Sequence, residues 1–215
     1  MLGFGDLFET TPRDMKLAEG AVLLEGFARD AARDLLGELD RISEISAFRH
    51  MVTPGGHRMS VAMTNCGSVG WVSDHRGYRY DAVDPQTCRR WPGMPALFAD
   101  LATRAAERSG FSGFAPDACL INRYLPGTKL TLHQDRNERD FDAPIVSVSL
   151  GLPAIFLFGG SQRSDRPRRI ALHHGDVIVW GGPARLAFHG VAKLADGDHP
   201  VVGRARINLT FRRAR

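Results

Sequence analysis

The chain has 215 residues, 43% of them hydrophobic, which is enough for one well-buried domain and too short for a second full one. Its net charge of +4 suits a polyanionic partner without requiring one, and three cysteines without paired spacing (Cys66, Cys88, Cys119) argue against a disulfide framework or a zinc cluster. Early acidic residues unlike a signal peptide, and no window near membrane-span length, predict a cytoplasmic protein that does not enter a membrane.

Residues 1–20 read as a loosely structured lead-in, and Ala21-Val22-Leu23-Leu24 as a short run able to open a buried strand. From Asp30 to Ile45 the apolar Ala31, Leu35, Leu39, Ile42 and Ile45 recur at helical steps, which predicts an amphipathic helix. A second helix is predicted over Pro95–Ser109, with proline in its first turn, Leu97, Leu101 and Ala105 on one face, and Gly110 as its stop. Between them, residues 51–93 lack a helical period yet carry Met59, Met63, Trp71, Tyr78, Tyr80 and Trp91 among glycines. Exposed loops seldom carry so many large apolar groups, so this segment is predicted to cover something. Capping the core from outside is the plainer alternative.

After Asp117 come seven short β-like runs: 118–124, 129–133, 145–150, 154–158, 169–172, 176–180 and 206–211, divided by turn signals such as Pro126-Gly127 and Gly181-Gly182-Pro183. Seven closely spaced strands predict a sandwich or barrel. The expected architecture is a single α+β, mainly β domain. Its jelly-roll core over about 117–213 is flanked by two helices, with the 51–93 segment inserted before it.

Three features carry chemistry. His133-Gln134-Asp135 ends a strand-like run, and residues two apart on a strand project to one side, as a metal requires. With 8 histidines and 24 acidic residues, about one His-x-acid arises by chance, and His174-Gly175-Asp176 is a second instance. That second pair reads as turn chemistry leading into Val177–Trp180, so the first is the better candidate. His189, some fifty residues on in a β-like context, reads either as a third ligand or as a satisfied core histidine. Finally, Arg206, Asn208, Thr210 and Arg212 alternate with Ile207, Leu209 and Phe211. A solvated edge strand looks the same, but two guanidiniums on one face suit a small organic diacid, with Asn122 and Tyr124 as neutral donors.

Longer motifs then enter. Met51-Val52-Thr53-Pro54-Gly55-Gly56, Met59 through Gly67, Pro116 through Tyr124, Leu132-His133-Gln134-Asp135, Ala143 through Phe156, His174-Gly175-Asp176-Val177, Val179-Trp180-Gly181-Gly182 and Asn208-Leu209-Thr210-Phe211-Arg212 resemble the AlkB family. These are nucleic-acid repair dioxygenases that depend on iron(II), 2-oxoglutarate and O2. The resemblance covers nearly the whole chain and includes the 51–93 segment, which it implies is a nucleotide-recognition lid over a double-stranded β-helix. By position it implies His133, Asp135 and His189 as iron ligands, and Asn122, Tyr124, Arg206, Asn208 and Arg212 around 2-oxoglutarate. It also implies Trp71 stacking on a flipped base opposite His133. Thr53, His57, Met59, Met63, Tyr78, Tyr80 and Arg163 then fall at the base and strand backbone.

Asn137 stands where an aspartate is usual in the family, and His57 where an aromatic hydroxyl is commoner. The implied activity is oxidative demethylation of 1-methyladenine- and 3-methylcytosine-type bases in single- or double-stranded DNA, or in RNA, by a monomer. Formaldehyde, succinate and carbon dioxide are released. A 2-oxoglutarate-dependent hydroxylase of a protein or small molecule, and a binding module without activity, are the rivals.

Overall fold

The computed structural model describes residues 13–215, so most of the predicted lead-in lies outside the described residues. Its remainder is ordered. Strand β1 (Asp14–Ala18) hairpins onto β2 (Ala21–Leu24), contrary to the reading of 1–20 as loose. Helix α1 (Ala32–Ile45) follows, then β3 (Ala62–Gly67), the hairpin of β4 (Gly70–Asp74) and β5 (Gly77–Asp81), and helix α2 (Ala96–Arg108). Eight strands complete the chain: β6 (Ala118–Tyr124), β7 (Leu130–His133), β8 (Ile145–Gly151), β9 (Ala154–Phe158), β10 (Arg168–Leu172), β11 (Val177–Trp180), β12 (His189–Val191) and β13 (Arg206–Arg212).

The large sheet runs β1-β2-β11-β8-β13-β6-β3 and the small one β10-β9-β12-β7. Within this order β6 to β13 make two four-stranded halves, β11-β8-β13-β6 and β10-β9-β12-β7, between which the chain repeatedly crosses. That is the jelly roll expected from the short, evenly spaced strands. The one strand of these eight beyond the seven predicted, β12, carries His189 and is only three residues long.

Period-two alternation divides the core in two. On β13, Ile207, Leu209 and Phe211 face the helices and share a cluster with Leu35 and Leu39 of α1 and Phe98 and Leu101 of α2. Phe98 meets Phe211 edge-on at 5.9 Å. Each such buried side chain contributes about 1.5–3 kcal/mol. The helical faces match expectation except at Ile45, which is 68% exposed. Between the sheets lies a second cluster, including Tyr124, Ile145, Phe156, Phe158, Trp180 and Val191.

The 51–93 segment is not one covering piece. Its β3 pairs with β6 from Ala62↔Arg123 to Gly67↔Ala118 and is fully buried at the sheet edge, whereas β4 and β5 form a separate ribbon. The ribbon is seated through Gly70, where a Cβ would lie 2.5 Å from the Trp91 ring, so only glycine lets Trp91 pack there.

Candidate active site

β7 and β12 pair so that His133 stands directly opposite His189. The two rings lie 4.4 Å apart, and Asp135 completes a group whose ligand atoms all fall within 4.8 Å of one another. His133 Nε2 is 3.7 Å from Asp135 Oδ1, and His189 Nε2 is 3.8 Å from Asp135 Oδ2. Each histidine donates its Nδ1–H to a carbonyl two residues back, Thr131 O at 2.9 Å and Ala187 O at 3.0 Å. Both Nε2 lone pairs are thereby left facing the carboxylate and available to a metal. Burial and the neighbouring His133 pull His189 down to about 4, so it is neutral, and ready to ligate, at physiological pH.

Close approach of β12 to β7 depends on Gly190, where a Cβ would sit 2.6 Å from Leu130 O and 3.1 Å from Thr131 C. These are backbone atoms that cannot swing aside. Gly190→Ala is expected to push β12 off β7, separate the histidines and weaken iron(II) binding about 10- to 100-fold, the usual effect of disturbing ligand orientation. Calorimetric titration with iron(II) under argon measures this, and unchanged affinity would show that the close approach is dispensable.

Asp135 also anchors the second half of the site. Arg212 donates from Nε and Nη2 to Asp135 Oδ2 at 2.8 and 2.7 Å. Burial by itself would raise the Asp135 carboxyl, but Arg212 and the two histidines hold it well below the usual carboxylate range. Arg206, at the other end of the same strand face, is 1% exposed, lies over the Tyr124 ring and donates from Nη2 to Ser149 Oγ at 2.9 Å. The solvated edge strand is thus ruled out: β13 is central, between β8 and β6, with both arginines buried.

Several polar atoms here have no partner among the described residues: Arg206 Nε and Nη1, Arg212 Nη1, Tyr124 Oη, Trp180 Nε1 and Asn122 Oδ1. A buried unsatisfied polar atom costs about 1–3 kcal/mol, so five partnerless donors on residues lining one cavity imply a ligand rich in acceptor oxygens. Rotating the Asn122 amide would present a sixth donor. A small dianion such as 2-oxoglutarate fits this set. Asn208 differs, because its Nδ2 donates to Ser147 Oγ and Val148 O while its Oδ1 accepts from Thr210 Oγ1.

These groups line one cavity of about 490 Å³ that also reaches Thr53, Met59, Met63, Trp71, Tyr78 and Asn137. Residues read separately as a metal cluster, a diacid pocket and an aromatic cover are therefore one space. Trp71 is held on three sides. Its backbone exchanges two hydrogen bonds with the Asn65 side chain, its Nε1 donates to Asn137 Oδ1 at 3.1 Å, and Tyr78 stacks on it at 5.7 Å.

Three predicted residues fall outside the cavity wall. Exposed His57 closes a turn with Thr53, and Arg163 sits over the ring of Phe188, next to His189 in the chain. Tyr80 donates its hydroxyl to Glu138 Oε1 at 2.5 Å. His174 and Asp176 are remote from the triad in function. His174 Nδ1 accepts from Gly151 N, and the Asp176 carboxylate accepts from Gly26 N and His173 N, which is turn architecture.

Sequence reasoning missed Glu138 and Arg185. Arg185 donates to Asp135 O, Glu138 Oε2 and Ala143 O, and Glu138 also lies 3.4 Å from Arg212 Nε. This buried network fixes the loop after β7 and ties Tyr80 to the arginine that holds Asp135. Single charged residues 47 positions apart leave no periodic signal by which to find them.

A jelly roll with this cluster and these arginines is the architecture of an iron(II)- and 2-oxoglutarate-dependent oxygenase, and the 2OG-Fe(II) oxygenase superfamily matches residues 20–212. The chain is 55% identical to the alpha-ketoglutarate-dependent dioxygenase AlkB of Escherichia coli K12, with 97% of each chain covered. It is 30% identical to the tRNA demethylase abh1 of Schizosaccharomyces pombe, over 67% of this chain and 52% of that one. The structure of OsALKBH1 superposes with a TM-score of 0.83 at 29% identity, covering 94% of this chain and all of the other. This chain belongs to the AlkB family. It is a dioxygenase whose cofactor is iron(II) and whose co-substrate is 2-oxoglutarate.

Proposed function

We propose that the protein oxidatively demethylates N-alkylated bases of the 1-methyladenine and 3-methylcytosine type in DNA or RNA, as a cytoplasmic monomer. The observation that carries this reading is the single cavity joining the His133–Asp135–His189 cluster to Trp71, Tyr78 and Asn137. When bound, iron(II) with O2 and 2-oxoglutarate supplies the oxidation that converts the methyl group to hydroxymethyl, which leaves as formaldehyde.

The protein's part is binding, orientation and exclusion of water. His133, Asp135 and His189 hold the metal, with both histidines oriented by their Nδ1–H bonds. Arg212, bound to Asp135, would face the end of 2-oxoglutarate nearer the metal, and Arg206 beside Tyr124 would take the far carboxylate in a bidentate grip. Asn122 and Asn208 complete that wall. A target methyl is out of reach inside a duplex, so the base is flipped or already single-stranded. The base lies on the face of Trp71 not covered by Tyr78, opposite His133, with Met59 and Met63 keeping the cavity apolar. Thr53, His57, Tyr78, Tyr80 and Arg163 serve the strand backbone from the 51–93 lid and its neighbourhood. Among the described residues no helix is long and apolar enough to cross a membrane.

The test is formaldehyde release from a 3-methylcytosine oligonucleotide with iron(II), ascorbate and 2-oxoglutarate. Release from a methylated peptide but not from the oligonucleotide would favour the hydroxylase alternative. Asn137 offers a finer test. Its Oδ1 accepts from Trp71 Nε1 at the cavity wall, and an aspartate would accept equally while adding a negative charge. Asn137→Asp is expected to raise the preference for cationic over neutral lesions about two- to fivefold, the worth of a partly exposed ion pair. Unchanged discrimination between 3-methylcytosine and a neutral etheno or N2-methylguanine lesion would show that stacking, not charge, sets recognition.

A further inference from the structure

Beside the active-site cavity lies a second, polar cleft of about 360 Å³, bounded by Arg79, Arg139 and Arg215 and by Tyr78 and Asn137. Tyr78 and Asn137 line both spaces, so the cleft shares a wall with the place proposed for the base.

Its charge balance is uneven. Arg79 is held by Asp74, which it meets from Nη1 and Nη2 at 2.9 Å each, and lies 3.6 Å from Asp81. The neighbouring acids are also matched: Asp140 with Arg213, Glu138 with Arg185, and Asp135 with Arg212. Asp117 spends both oxygens on the backbone N–H groups of Ala214 and Arg215. Arg139 and Arg215, both exposed, form no ion pair with a side-chain carboxylate among the described residues, the nearby acids being paired with other arginines. Nor are they on free ends, because Arg139 N donates to Ala214 O at 3.2 Å and Asp117 pins the 214–215 backbone. Two guanidiniums without a side-chain carboxylate partner thus line one cleft from anchored backbone, beside the Tyr78 ring. That combination of fixed positive charge and adjacent stacking suits a single-stranded polyanion.

We propose that this cleft binds the phosphodiester backbone on one flank of the target nucleotide, with Arg139 and Arg215 contacting successive phosphates. Arg163 lies over Phe188, in a different part of the chain from this cleft, and is not among the groups that form it. The proposal rests on the nucleic-acid reading above and adds to it where the strand leaves the base pocket.

The experiment measures binding of 3-methylcytosine oligonucleotides, with the lesion at the 5′ end, the centre or the 3′ end, to the full protein and to Arg139→Ala/Arg215→Ala. Each single-strand phosphate contact contributes about 0.7 to the slope of log affinity against log salt. The double variant is expected to lose about 1.4 of slope on the central lesion and on one end-placed lesion, and none on the other. Arg139→Lys/Arg215→Lys should keep the slope, and matching thermal unfolding confirms that all variants fold. An unchanged slope on every oligonucleotide overturns the proposal, as does an equal loss at both ends, which marks a diffuse field rather than a site. If the unaltered protein neither binds nor demethylates the oligonucleotides, both readings fall; demethylation with unchanged slopes overturns this one alone.

Discussion

Asp135→Ala is expected to lower formaldehyde release from a methylated oligonucleotide by more than about 100-fold, the upper range for disturbing a metal ligand's surroundings. Asp135 is the residue on which both halves of the site converge. It closes the histidine cluster at 3.7 and 3.8 Å and accepts two hydrogen bonds from Arg212. Removing it takes away one proposed ligand and its negative charge, and leaves Arg212 buried with Glu138 as its remaining carboxylate neighbour at 3.4 Å. A buried charge that loses its partner is strongly destabilising, so iron content and thermal unfolding are to be read with activity. His133→Ala removes a ligand without freeing Arg212. It should match the loss of activity while unfolding closer to the unaltered protein. Full release from both variants would overturn the triad assignment.

Arg206→Ala is expected to raise the KM for 2-oxoglutarate about 30- to 1000-fold, the range for truncating one member of a buried, hydrogen-bonded charge pair (about 2–4 kcal/mol). Arg206 Nε and Nη1 point inward without partners, and Nη2 is fixed by Ser149 Oγ, so the fork is oriented before any ligand arrives. Burial makes this guanidinium a weaker base than an exposed one, with Tyr124 partly offsetting that, yet it stays protonated. Because its proposed role is to bind rather than react, kcat at saturating 2-oxoglutarate should fall far less than kcat/KM. Arg206→Lys should recover little, since a point charge cannot reproduce two parallel donors. Equal loss in kcat and kcat/KM would place Arg206 in the chemistry instead, and unchanged kinetics would remove it from the pocket. Iron(II) affinity without 2-oxoglutarate should be retained, which separates this variant from Asp135→Ala.

Both predictions depend on residues whose type was legible in the sequence but whose standing was not. His133-Gln134-Asp135 and His174-Gly175-Asp176 are equivalent as strings. They are told apart by what surrounds them, since Asp176 is consumed by the backbone of a turn while Asp135 faces two imidazoles. His189 gave no local sign of joining the cluster. The register of β12 against β7 puts it opposite His133, and that register exists because Gly190 admits the Leu130 carbonyl. The 51–93 segment shows the reverse limit: its aromatics were visible, but one strand of it, β3, belongs to the main sheet and pairs along β6.

Alternation and helical period determined the two helices, the core strands and the inward face of β13, because those patterns arise from local backbone geometry that each segment carries by itself. Whether Arg206 and Arg212 lay in water or in the core depended on β8 and β6 flanking β13, and whether Asp135 was free or held depended on Arg212 reaching its carboxylate and Arg185 its backbone carbonyl. Contacts between residues distant in the chain follow from which strands pair and which loops close, a property of the whole packing. The residue types of the site were therefore settled by the sequence; their burial, partners and union in one cavity were decided only in three dimensions.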